Sequence, residues 1–139
     1  MANFQKIQAA LITAWDTSSL GLNTAYENSE FQPVDGVAWA RIVIIPTSAI
    51  VATLGSGGED EHLGTMWIDL FYPPDKGNGD ALEMAGRVEE LYQAGSGFTY
   101  SGQTVTVRNP VSRSGGRIDE NWYRLTLRID YRARTFRTN

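Results

Sequence analysis

Cysteine is missing from this sequence. Disulfides, thiolate metal sites and cysteine nucleophiles are thereby excluded. Histidine is nearly missing too, since His62 is the only one. A site built on two imidazoles is impossible, and any imidazole base would have to be that single residue. Long apolar runs are absent: nothing approaches the roughly 18–20 residues that cross a bilayer. The opening stretch MANFQKIQAALITAW is broken by Gln5, Lys6 and Gln8, so it lacks the uninterrupted apolar core of a secretory signal. A soluble, cytoplasmic protein with no membrane partner is the expectation. Internal repeats and low-complexity segments are also absent.

What is present suits one folded unit. With 139 residues, 42% of them hydrophobic and 20% charged, the chain can bury a core and is not composed like a disordered segment. A single domain over 1–139 is expected. The net charge of −4 is unevenly spread. Residues 1–107 hold 4 basic and 13 acidic side chains, a net of −9, and residues 108–139 hold 8 arginines and 3 acids, a net of +5. A general nucleic-acid binder would be basic throughout. An acidic portion and a basic portion suit either neutralisation within one fold or contact between subunits of opposite sign.

Periodicity gives the elements. Phe4, Ile7, Leu11 and Trp15 recur at helical spacing over residues 3–15. TAYENSEFQP reads as a short extended piece. VAWARIVIIP, residues 37–46, is β-branched and apolar on both faces, which predicts a covered central strand that Pro46 ends. SAIVATLG and TMWIDLFYP read as further extended stretches. Asp80 is the expected cap of a second helix, with Glu83 as its capping-box partner. Ala81, Met84, Ala85, Val88, Leu91 and Tyr92 form that helix's apolar stripe. FTYSG and QTVTV read as a hairpin turning at Ser101–Gly102. In NWYRLTLRIDYRA, Tyr123, Leu125, Leu127, Ile129 and Tyr131 alternate with Arg124, Thr126, Arg128, Asp130 and Arg132, which predicts a half-buried strand. VSRSGGRIDEN before it reads as a polar loop. The order predicts an α+β domain: a mostly antiparallel sheet, two helices on one face, and a β-hairpin carrying a long mobile loop.

The segment LGSGGEDEHLGTMWIDLFYPP, residues 54–74, raises the question of chemistry. A phosphate-binding loop needs a lysine and a following helix, and this stretch has neither. Four consecutive residues, Glu59, Asp60, Glu61 and His62, cannot all converge on one ion, so no metal site is expected there. No G-x-S-x-G elbow supports a nucleophile. Neither a cofactor nor a reaction is expected, and contact residues are the remaining candidates. Glu59, Asp60, Glu61 and His62 are assigned to a hairpin loop available to a partner. Trp67, on the more polar face of its strand, is a candidate interface anchor. Arg124, Arg128 and Arg132 lie four apart on one face, about 13 Å between neighbours, and would meet an acidic neighbour or a phosphate backbone, or stand as a solvated outer face.

Three segments resemble the phage tail terminator-like proteins. YENSEFQP (26–33) is similar to that family's aromatic-Glu-Asn-x-x-Phe-x-Pro segment. Residues 52–92 are similar to its succession of Leu-Gly loop, strand ending in proline, Gly-rich turn and helix. FTYSGQTVTV (98–107) resembles its following hairpin. The resemblance implies a virion structural protein with the lambda-type terminator fold. Six subunits would form a ring on the last ring of major tail-tube protein, stop tube polymerisation, and present a surface to head-completion proteins. DNA would pass through the centre without sequence-specific binding. A head–tail connector or joining protein is the alternative reading.

Overall fold

The computed structural model describes residues 3–137. Helix α1 spans Asn3–Asp16 and α2 spans Gly79–Leu91. Eight strands form one mixed sheet: β1 Asn23–Tyr26, β2 Trp39–Val51, β3 Glu59–Tyr72, β4 Gly97–Tyr100, β5 Gln103–Val107, β6 Ser112–Arg113, β7 Arg117–Asp119 and β8 Trp122–Phe136. The sheet order is β1-β2-β3-β8-β5-β4, and β6 and β7 also pair with β8. Only β1–β2 is parallel; the other pairings are antiparallel. This is the expected α+β class.

Both helices contribute to the core over one sheet face. Ile7, Leu11 and Trp15 of α1 and Met84, Ala85 and Val88 of α2 join Ile42, Met66, Ile68, Leu125, Leu127 and Ile129 of the sheet. Removing one such Ile or Leu side chain from water contributes about 1.5–3 kcal/mol. Two polar links fix the helices. The Tyr92 hydroxyl donates to the Leu11 carbonyl at 2.9 Å, and the Trp15 indole donates to Thr24 at 2.8 Å. Burial pushes the Tyr92 phenol well above its ordinary range, as a neutral donor in an apolar site requires.

The alternation read in β8 is present, with Leu125, Leu127, Ile129, Tyr131 and Ala133 buried. The hairpin turn at Ser101–Gly102 is also present, both residues having positive φ (49° and 82°) as a two-residue turn of this kind needs.

Three expectations are corrected. Pro46 does not end its strand: β2 continues to Val51 through a bulge between Pro46 and Ser48. The Ile44 N–H points away from β3, donating to the Glu27 carboxylate at 2.9 Å. Position 46 shares that outward direction, so the missing proline N–H interrupts no β2–β3 bond. Asp80 does not cap α2. The N-cap is Asn78, without a side-chain cap bond, and Asp80 sits in the first turn, where its charge suits the helix dipole. VSRSGGRIDEN is not simply a loop, because it contains β6 and β7, both paired with β8. Trp39 is buried, but on the sheet face opposite the helices, stacked 4.0 Å from Phe71 and edge-on to Trp122 at 6.0 Å.

Candidate functional site

The far halves of β2, β3 and β8 run past Gly64 as an arm, flanked on the β8 side by β5, where Val105 pairs with Ala133. Asp60, Glu61 and His62 pair with Val51, Ile50 and Ala49 on one side. The same three pair with Thr135, Arg134 and Ala133 on the other. Glu59, Asp60, Glu61 and His62 are therefore strand residues of β3, which corrects their assignment to a loop. Strand alternation then divides them. Asp60 and His62 face the helix side, and Glu59 and Glu61 face the outer side.

Each has its own surroundings. His62 Nε2 lies 2.9 Å from the Thr135 hydroxyl. Glu59 lies 3.5 Å from Arg134, and Asp60 pairs with Arg137. Glu61 and Arg132 make no ion pair among the described residues. Among those residues there is also no cluster of three His, Asp or Glu that could hold a metal ion.

The turn itself is residues 52–58, and Arg137 grips it. Its backbone N–H donates to the Gly58 carbonyl at 2.8 Å. Its guanidinium donates to the carbonyls of Thr53, Gly55 (3.0 Å) and Glu59 (3.1 Å). A glycine is required at 58, where a Cβ would come within 2.7 Å of the Thr53 carbonyl oxygen and also collide with that guanidinium. Arg137→Ala should therefore raise amide exchange over residues 53–59 at least tenfold while moving the melting temperature little, since those bonds lie at the tip. Hydrogen exchange read by mass spectrometry checks this, and unchanged exchange would mean the clasp does not hold the turn.

At mid-sheet, the outer face carries an ionic and aromatic layer. Asp69, buried to 5% exposure, accepts from Arg41 at 2.9 Å, Arg124 at 3.2 Å and Thr126 at 2.6 Å. Arg124 also bonds Asp119 at 3.0 Å, and both guanidinium groups stand over the Phe71 ring. Arg124, singled out for partners, is thus already engaged within the subunit. Trp67 is half-buried beside a groove of about 460 Å³, bordered by Arg41, Val43, Ile45, Arg117 and Arg124. Arg128 sits opposite Trp67 in the register and 3.7 Å from Asp130. Burial pushes the Asp130 carboxyl up, but hydrogen bonds from Asn109 and Thr65 and the charges of Arg128 and Arg108 outweigh it and hold it below the usual 3.8. Its contribution to stability is present above that value and is lost as the pH falls through the lowered one.

The eight sequence candidates thus form two groups. Trp67, Arg124 and Arg128 sit together at mid-sheet, while Glu59, Asp60, Glu61, His62 and Arg132 belong to the arm. Two features escaped the sequence reading. One is the Arg41–Asp69–Arg124 network, signalled only by a lone acid in the apolar run WIDLF. The other is the apolar surface of the arm and its turn, where Ile50, Val51, Leu54 and Phe136 are each at least half exposed. No described helix is long and apolar enough to cross a membrane.

Comparison with known proteins assigns the fold and the family. One solved structure superposes with a TM-score of 0.77 at 18% identity, covering 98% of each chain, which shows a shared fold. No curated protein matches. Residues 6–131 match the family described as phage tail terminator protein, which spans both helices and the greater part of the sheet. The chain therefore belongs to the phage tail terminator family and is a structural protein of the phage tail.

Proposed function

We propose that the chain, acting as one domain over 1–139, ends the growth of the tail tube. Subunits assemble as a hexameric ring on the last ring of major tail-tube protein. The opposite side of the ring receives the head-completion proteins, and DNA passes through the centre without base-specific contact. The protein acts by contact alone and catalyses nothing. Assembly takes place in the host cytoplasm, and the product is part of the virion. The observation that carries this reading is the family match over residues 6–131. The arm is consistent with it: a monomer rarely leaves Ile50, Val51, Leu54 and Phe136 exposed together unless something covers them.

Adding the protein to polymerising tail-tube protein should stop elongation and leave an extra ring at one tube end in negative-stain images. Tubes that grow to the same length with or without it would reject the reading. Glu61→Lys should weaken capping severalfold at less than about 0.5 kcal/mol of folding stability, because Glu61 has no ion-pair partner among the described residues. Normal capping by that variant would remove the acidic side of the arm from the docking surface.

A further inference from the structure

The sheet has two uncovered edges. β1 pairs with Trp39–Ile42 only, so beyond the Ile44 N–H no described strand covers β2. At the other end of the order, β4 has β5 on one side and no described strand on the other. An uncovered edge is a row of unpaired amide and carbonyl groups. Natural proteins usually guard such edges with charge, above all lysine. Here the opposite holds. The two longest stretches of the chain without a charged residue or histidine are residues 42–58 and 91–107. They contain, respectively, most of β2 with its turn, and all of β4 and β5.

The edges also match in length and in hydrogen-bond phase. Past its bulge, β2 offers four residues, Ser48–Val51, and β4 has four, Gly97–Tyr100. Ile44 directs its N–H outward, and after the bulge the register with β3 places the groups of Ala49 and Val51 outward as well. The two-residue turn closes on the pair Tyr100–Gln103, so Phe98 and Tyr100 bond β5 and leave Gly97 and Thr99 facing out. Each edge therefore presents two outward residues with no opposing charge.

We propose that these edges join: residues 48–51 of β2 in one copy pair with residues 97–100 of β4 in the next, continuing the sheet from subunit to subunit. The two edges are different surfaces of one chain, so the contact is head-to-tail and can close into a ring. Backbone bonds give the contact its direction, and Ile50 and Val51 lose solvent as it forms. The inference rests on the ring-forming reading above and names the surface that makes the ring.

Proline tests it, because at an outward position it removes only the N–H that the neighbour would use. Ala49→Pro disables the β2 edge and Thr99→Pro the β4 edge. Each variant alone should stay folded by circular dichroism yet fail to form rings by light scattering, with at least a tenfold loss of assembled protein. Mixed one to one, they retain a single usable junction, β4 of Ala49→Pro with β2 of Thr99→Pro, and should give a heterodimer and nothing larger. In wild-type protein, amides of Ala49, Val51 and Thr99 should gain protection on assembly, a readout that holds even if a variant fails to fold. Rings formed by either proline variant, or no protection at those amides in the wild-type ring, would overturn the edge pairing while leaving ring formation intact. A wild-type chain that never assembles, even on tail-tube protein, would overturn both.

Discussion

Replacing Gly64 with alanine should lower the folding stability by about 1–3 kcal/mol, the usual range for forcing volume into a packed site. Gly64 of β3 lies directly opposite Tyr131 of β8. The Tyr131 phenol lies across it, so that an added Cβ would overlap the hydroxyl and ring carbon Cζ and come within 2.7 Å of Cε2. Tyr131 is 1% exposed, and burial raises its phenol pKa, so the ring has no solvent into which to retreat. On β3 the glycine thus stands between the buried Met66, Ile68 and Leu70 and the half-buried His62 and Asp60. A chain of this size should melt several degrees lower in a thermal scan. Tyr131→Leu in the same chain should recover part of the loss, because it removes the atoms the methyl group meets; a double-mutant cycle measures that coupling. A Gly64→Ala protein that melts with the wild type would show that the ring is not held over the glycine.

Asp69→Ala should cost about 2–3 kcal/mol. Removing one partner of a fully buried ion pair typically costs 3–5 kcal/mol, because the remaining charge stays buried and unpaired. Here the cost is smaller, since the Arg41 side chain is 42% exposed and can turn to water. Arg124 has less freedom: its side chain is 21% exposed, and its Nε is already buried without a hydrogen-bond partner. Asp119 remains as its one carboxylate. The loss should therefore fall on the β7–β8 hairpin first, and denaturant unfolding should be accompanied by faster exchange of the Arg117–Asp119 amides. Asp69→Asn keeps the shape and the Thr126 contact and should cost less. Equal stability of Asp69→Ala and the wild type would mean that the arginines, and not the acid, organise this face.

Physical locality explains which features could be read in advance. The stripe of α1 and the alternation of β8 are written into neighbouring residues, so Ile7, Leu11, Leu125 and Leu127 were legible as core. The apolar character of both β2 faces was legible, but not that Trp39 would meet Phe71 and Trp122 away from the helices, since that depends on strands more than thirty residues distant. Pro46 misled for a related reason: whether a missing N–H breaks a strand depends on which neighbour stands beside it. The EDEH segment looked like loop because glycines precede it and it is polar. It is strand because β8 is long enough to reach it, Glu59 standing opposite Phe136. Arg137, which grips the turn from the far end of the chain, leaves no local signal at all.

Of the contact residues, Glu61 and Arg132 on the arm retain charges without an ion-pair partner among the described residues. Arg124 and Asp60 are occupied inside it. Charge alone thus separated the chain into acidic and basic portions correctly but did not tell which members were already neutralised. Geometry resolves that, and shifts attention from the arginine ladder to the arm and the sheet edges.

The most direct test is the mass of the purified protein, alone and with polymerising tail-tube protein, by light scattering with negative-stain imaging of the same samples. A species of six subunits that seats at one end of each tube and halts its growth is the predicted result. A chain that remains a monomer in both samples, with tubes elongating past it, would contradict the claim that this protein works by assembling.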